Sequence, residues 1–254
     1  MKYYASRFLP VIFVIFVGLF WSCPALAQDA GDVAVQMADE LRDVPISSTV
    51  RILVILTALS FLPALVLGMT PFTRFIIVLS MLRQAVGLQQ SPPNQVLVGL
   101  SLFLSMMLMQ PTLNEVYDTA ITPFLNGEME VLPAFEAFMA PMREFMVSNT
   151  RQEDLKLILS LQEGAPPASV EEIGHASVVS AFILSELKTA FIIGVKIYLP
   201  FLVIDVVVAN ILLGMGMMVL PPVVLSLPLK ILLFVLMDGW SLLISMMAAS
   251  FYGI

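Results

Sequence analysis

The run from Ser177 to Leu213 is apolar and long enough to cross a bilayer, yet it carries Glu186, Lys188, Lys196 and Asp205. Each ionised side chain at the centre of a membrane helix costs about 2.5–3.5 kcal/mol on an insertion scale, so four cost about 10–14 kcal/mol. The 18 Ile, Leu, Val and Phe residues between Ala181 and Ile211 return about 5–11 kcal/mol on the same scale. Insertion as an isolated helix is therefore marginal. Helical geometry sharpens the point. At 100° per residue, with Glu186 at zero, Lys188 lies at ~200°, Lys196 at ~280° and Asp205 at ~100°. No single sheltered face hides all four. Either protein surrounds the segment, or Gly194 and Pro200 break it into pieces. Glu186 and Lys188 stand two residues apart and cannot pair with each other. The partners of these four charges must come from other segments or from other subunits. Asp238, beside Gly239 and Trp240, poses the same problem in the last apolar block.

Composition places the whole chain in the same class. Of 254 residues, 59% are hydrophobic and 12% are charged, against about 45–50% and 25% in soluble domains. The net charge of −7 offers no basic footprint for nucleic acid. One His and one Cys leave little material for zinc or thiol chemistry. No P-loop, nucleophile–base pair or metal constellation appears. The expectation is an integral membrane protein that is not an enzyme and needs no cofactor.

Lys2 and Arg7, the apolar run Phe8 to Trp21 and the small-x-small site Ala25-Leu26-Ala27 have the layout of a secretory signal peptide over residues 1–27, cleaved before Gln28. Cleavage removes Cys23, the chain's one cysteine. Residues 28–49 read as an acidic arm. Residues 50–110 hold two apolar segments, Ile52 to Leu67 with Pro63 inside, and Val96 to Met109. Between these segments, Thr70-Pro71 reads as an N-cap and first helical position, opening a helix over Phe72 to Val86 that Gly87 ends. Residues 111–176 form an acidic region in which Phe135, Phe138, Met139, Met142, Phe145 and Met146 recur at helical spacing. Ala165-Pro166-Pro167 reads as a linker. His175 reads as a surface residue.

Residues 177–254 carry the charged run, a Gly/Met/Pro loop over Gly214 to Leu227 and a last apolar block, Leu229 to Ala249. Four blocks with an outside start predict an outside end and an outer acidic region. Arg74, Arg83 and Lys230 then lie on the cytoplasmic side, as the positive-inside tendency favours. Ser177, Ala181, Ser185 and Thr189 fall four apart, a small-residue stripe that lets helices approach closely.

The stretch Gly214-Met215-Gly216-Met217-Met218-Val219-Leu220-Pro221-Pro222 is the most unusual. Gly loosens the backbone, and Pro-Pro halts a helix. Met is unbranched and polarizable, so a ring of Met can close an aperture and still deform around varied contents. Thioethers also favour Cu(I), which leaves a small ion or Cu(I) transporter as an alternative.

Three segments carry a family resemblance: Ser180 to Tyr198 (SAFILSELKTAFIIGVKIY), the Met loop with its Pro-Pro, and Pro228-Leu229-Lys230 through Asp238-Gly239-Trp240. They resemble the FliP family of flagellar export proteins, over about residues 50–254. The resemblance implies an all-α fold of membrane-associated helical hairpins, assembled side by side in a helical ring. That ring, a homopentamer by resemblance, would join FliR-like and FliQ-like subunits and a FlhB-like switch protein. It would sit at the inner membrane and its periplasmic side, at the flagellar basal body, and pass unfolded flagellar subunits. The gasket positions would be Met215, Met217 and Met218. Val219 stands where the family often has a third consecutive Met. Gly214, Gly216, Pro221, Pro222, Asp238, Gly239 and Trp240 would shape the loop and the packing.

Overall fold

The protein is described from a computed structural model covering residue 60 and residues 67–88, 91–162, 169, 172–217 and 221–252. The expected signal peptide, the acidic arm, most of the first apolar segment, the Ala165-Pro166-Pro167 linker, Met218 and Val219 lie outside the described residues. The chain divides into Met1–Pro63 and Ala64–Ile254, and the second unit holds every helix from Phe72 onward. Among the described residues every regular element is helical.

Helix α1 spans Phe72–Val86, the range expected from the sequence. Its end is set by Gly87 at φ 90°, whose N–H reaches the Gln84 carbonyl while that of Leu88 reaches Arg83. This left-handed closure suits a residue without Cβ. The start differs from expectation. Pro71 is the N-cap, and the Thr70 hydroxyl donates backward to the Leu67 carbonyl at 3.2 Å instead of capping α1.

Helix α2 (Asn94–Leu108) leads into α3 (Gln110–Val116), a π-helical turn over Tyr117–Ile121, and α4 (Thr122–Leu125). The chain bends by 69° between α2 and the segment that starts at Gln110. Helix α5 (Val131–Asn149) carries the Met/Phe periodicity, with Met139, Met142 and Met146 buried and Phe135 exposed. Helix α6 (Gln152–Ser160) follows. In this region Asp154 is buried, while Glu115, Asp118, Glu128, Glu130, Glu136, Glu144 and Glu153 face outward.

Helix α7 runs unbroken for 40 residues, His175–Gly214. Of the two routes open to its charges, neighbouring protein prevails over breakage. Pro200 is exposed and lies within the helix, and Gly194 marks a close approach. A Cβ at Gly194 would stand 2.2 Å from the Met81 sulfur of α1. Helix α8 spans Pro222–Leu236 and α9 spans Gly239–Tyr252, bent by 64°.

Two further expectations are corrected by the structure. The Gly/Met/Pro loop is shorter than expected, because Pro222 occupies the first helical position of α8, where its missing N–H costs nothing. The last apolar block is two helices, because Asp238 takes a left-handed conformation at φ 48°. Among the described residues, only α7 is a single helix long and apolar enough to cross a membrane; each bent pair, α2 with α3–α4 and α8 with α9, reaches that length only jointly.

Two apolar cores are strung along α7. Met69, Met109, Met142, Met146, Val178 and Phe182 join its first part to α3 and α5. Phe75, Leu79, Leu82, Ala190, Ile193, Phe201 and Met247 join its middle to α1 and α9. The small-residue stripe sits in this packing. Ser177, Ala181 and Ser185 are buried; the Ser177 hydroxyl accepts from the Gln162 amide at 2.6 Å and that of Ser185 from the Arg151 N–H at 3.1 Å.

Candidate functional site

The charges of α7 point in different directions, and each direction meets a different environment. Glu186 faces α1. Arg74 donates from Nε to Glu186 Oε2 at 2.9 Å and from Nη2 to Oε1, a two-pronged, charge-assisted contact. Arg74 also donates from Nη1 to Ser250 Oγ at 2.7 Å, and its guanidinium lies 3.6 Å from the ring centre of Phe251. One buried cation therefore ties α1 to α7 and to the end of α9.

Lys188 faces α6, where its ammonium donates to Asp154 Oδ1. The lysine is 46% exposed and the aspartate 1%. Asp205 faces α8. Its Oδ2 accepts from Lys230 Nζ and its Oδ1 from the Ser226 hydroxyl, each at 2.6 Å. Lys230 also donates to the Ala85 carbonyl of α1 at 3.1 Å. Three of the four charges thus have partners on other helices of the same chain. Lys196 is exposed, on the edge of a cleft lined by Leu82, Pro200, Phe201, Phe234 and Gly239.

Arg74 and Lys230 are the partners that the α7 carboxylates meet. Both are buried. Sequence reasoning passed over them as partners. The signal was present: Arg74 stands four residues before Val78 on the buried stripe of α1, and Glu186 lies midway between Phe182 and Ala190 on that of α7.

The methionine loop starts where α7 stops. The N–H of Gly216 bonds the Leu213 carbonyl and that of Met217 bonds Leu212, both at 3.0 Å, with Gly216 at φ 71°. This is a Schellman closure, and it requires a left-handed residue at Gly216. Gly214 is the last residue of α7. Met215 is 59% exposed and Met217 41%. Pro221 is the extended N-cap of α8. Met215 and Met217 thus lie exposed just past the end of the longest helix among the described residues.

At the α8–α9 elbow, a Cβ on Gly239 would stand 2.1 Å from the Phe234 ring, so the backbone packs directly against that ring. Trp240 meets that ring edge-on, with centroids 5.5 Å apart. Among the described residues no cluster of three or more His, Cys, Asp or Glu side chains is placed to hold a metal ion.

The FliP family profile matches residues 55–247. The chain is 53% identical to the flagellar biosynthetic protein FliP of Cereibacter sphaeroides over 205 residues, 81% of this chain and 68% of that one. It is 47% identical to the protein of that name from Pectobacterium carotovorum subsp. carotovorum over 237 residues, 93% and 91% of the two chains. A third relative, FliP of Bacillus subtilis (strain 168), is 48% identical over 206 residues, 81% and 93% of the two chains.

Proposed function

Since the chain belongs to the FliP family, a family of flagellar biosynthetic proteins and not of enzymes, we propose that it is a core subunit of the flagellar protein-export gate in the bacterial inner membrane. In this reading several copies form a ring with FliR-like and FliQ-like subunits, beside a FlhB-like switch protein. Unfolded flagellar subunits pass through the centre. Met215, Met217 and Met218 of neighbouring copies form the seal of the closed channel.

The observation that carries this reading is the exposure of Met215 and Met217 beyond the end of α7, on a loop closed by Gly216. Flexible thioether side chains left uncovered at the tip of an apolar rod suit a compliant plug made of many copies. The wide apolar exposure of α7 and α8, including Phe191, Leu199, Val203, Val224, Leu232 and Leu236, supports burial against other subunits or lipid.

The test is membrane permeability in cells holding the assembled complex, with all three Met residues replaced by Ala. Leakage of ions and small solutes is expected to rise while assembly persists. Unchanged permeability in an intact complex overturns the gasket.

A further inference from the structure

Across α1, α2, α7, α8, α9 and the elbow before α9, most charges are accounted for. Arg74 pairs with Glu186, Lys188 with Asp154 and Lys230 with Asp205. Arg83 is held by the Pro92 carbonyl and Asn94. Two charges remain, one of each sign: Lys196 and Asp238. Both are exposed, and neither forms an ion pair or a side-chain hydrogen bond with a described residue.

The two lie around one apolar cleft. Lys196 lines it, and Asp238 stands between Met237 and Gly239, which also line it. Pro200, one turn beyond Lys196, has no N–H to give the Lys196 carbonyl. The spot therefore offers a lone ammonium beside an acceptor that the helix leaves uncovered. An isolated ion on an apolar surface that meets lipid or protein is costly until it meets its counter-ion. Identical copies supply one Asp238 for every Lys196, the stoichiometry this surplus demands.

We propose that the α8–α9 elbow of a second copy of this chain seats in this cleft and sets its Asp238 against Lys196. The exposed Leu236, Met237 and Trp240 of the elbow are the apolar filling, and the ion pair fixes their register. The inference rests on the multi-copy reading above and names the surface by which copies recognise one another.

The experiment uses two differently tagged full-length chains, one carrying K196C and the other D238C, co-expressed with their membrane partners and oxidised in the membrane. Peptide mass spectrometry identifies the linked sulfurs. A covalent link joining the two tags through positions 196 and 238 is the expected result. A chain carrying both changes that links only within itself overturns the proposal.

A second arm respects the left-handed backbone at Asp238, which Asn tolerates. K196E sets a carboxylate against Asp238 and should lower multi-copy assembly about tenfold or more. D238N in the same chains should recover most of it. Assembly of K196E at the natural level refutes the pairing. Native mass spectrometry of the unmodified chain separates the failures. Several copies without a 196–238 link overturn this interface and leave the ring standing; a monomer overturns the ring as well. Phospholipid found in the cleft of every copy, with no link, assigns Lys196 to lipid and also overturns the proposal.

Discussion

Replacing Arg74 with Met should be among the most damaging single changes in the described unit. Arg74 and Glu186 are 2% and 1% exposed, and Arg74 also serves Ser250 and Phe251. Removing the guanidinium leaves a carboxylate with no water and no cation. Breaking a buried pair from one side costs about 3–5 kcal/mol, and losing the contact with Phe251 adds about 0.5–2 kcal/mol. At about 2–4 °C per kcal/mol for a chain of this size, a total of about 3.5–7 kcal/mol lowers the melting temperature by roughly 7–28 °C.

E186M should cost a similar amount, because it strands the cation. The double variant R74M/E186M removes both ions and fills their space with unbranched apolar chains, so it should melt above either single variant. The assay is thermal unfolding of the purified protein in mild detergent, read as a double-mutant cycle. If the loss in the double variant equals the sum of the single losses, the two residues do not act as one buried ion pair, and the account of how α1 docks on α7 fails.

K230M should cost less, about 1–3 kcal/mol in the same melts, because Asp205 is 31% exposed and water can replace part of the lost ammonium. Gly239→Ala should cost about 1–3 kcal/mol by forcing a Cβ into the Phe234 ring, which Phe201 and Trp240 hold in place. Gly194→Ala should stay within about 1 kcal/mol of the natural chain, since the atom it meets is the movable end of Met81 and Ala favours the helix. Ser185→Ala should lose about 1–3 kcal/mol by leaving the Arg151 N–H without its acceptor, with faster proteolysis at the α5–α6 turn as a second measure.

The residues themselves explain why some of this is legible in the sequence and some is not. Helix α1 can be read residue by residue because its start has proline and its end has glycine, and both act locally. The directions of the α7 charges can also be read, since they follow from 3.6 residues per turn alone. Their partners cannot. Arg74 lies 112 residues from Glu186 and Asp154 lies 34 from Lys188. Local periodicity says that a position is buried but not which segment covers it. The elbow at Asp238 is hidden for another reason. The apolar run from α8 into α9 is continuous in character, and one left-handed aspartate bends it into two helices. Met215 and Met217 stand out by their chemistry, while their exposure depends on the closure at Gly216.

The continuity of α7 also has a mechanical side. At 1.5 Å per residue, its 40 residues make a rod about 60 Å long. Near one end it is gripped by α5 and α6, near its middle by α1, and its far end carries the methionines. Neither Gly194 nor Pro200 interrupts it as a joint. Such a rod works as a lever. With the grip of α1 as fulcrum, a tilt of about 4° carries a tip ~30 Å away through about 2 Å, roughly half the width of a methyl group. A tilt of that size would move the methionine tip by a distance on the scale of a side chain, and the ties of Asp205 to Lys230 and Ser226 would carry α8 with it.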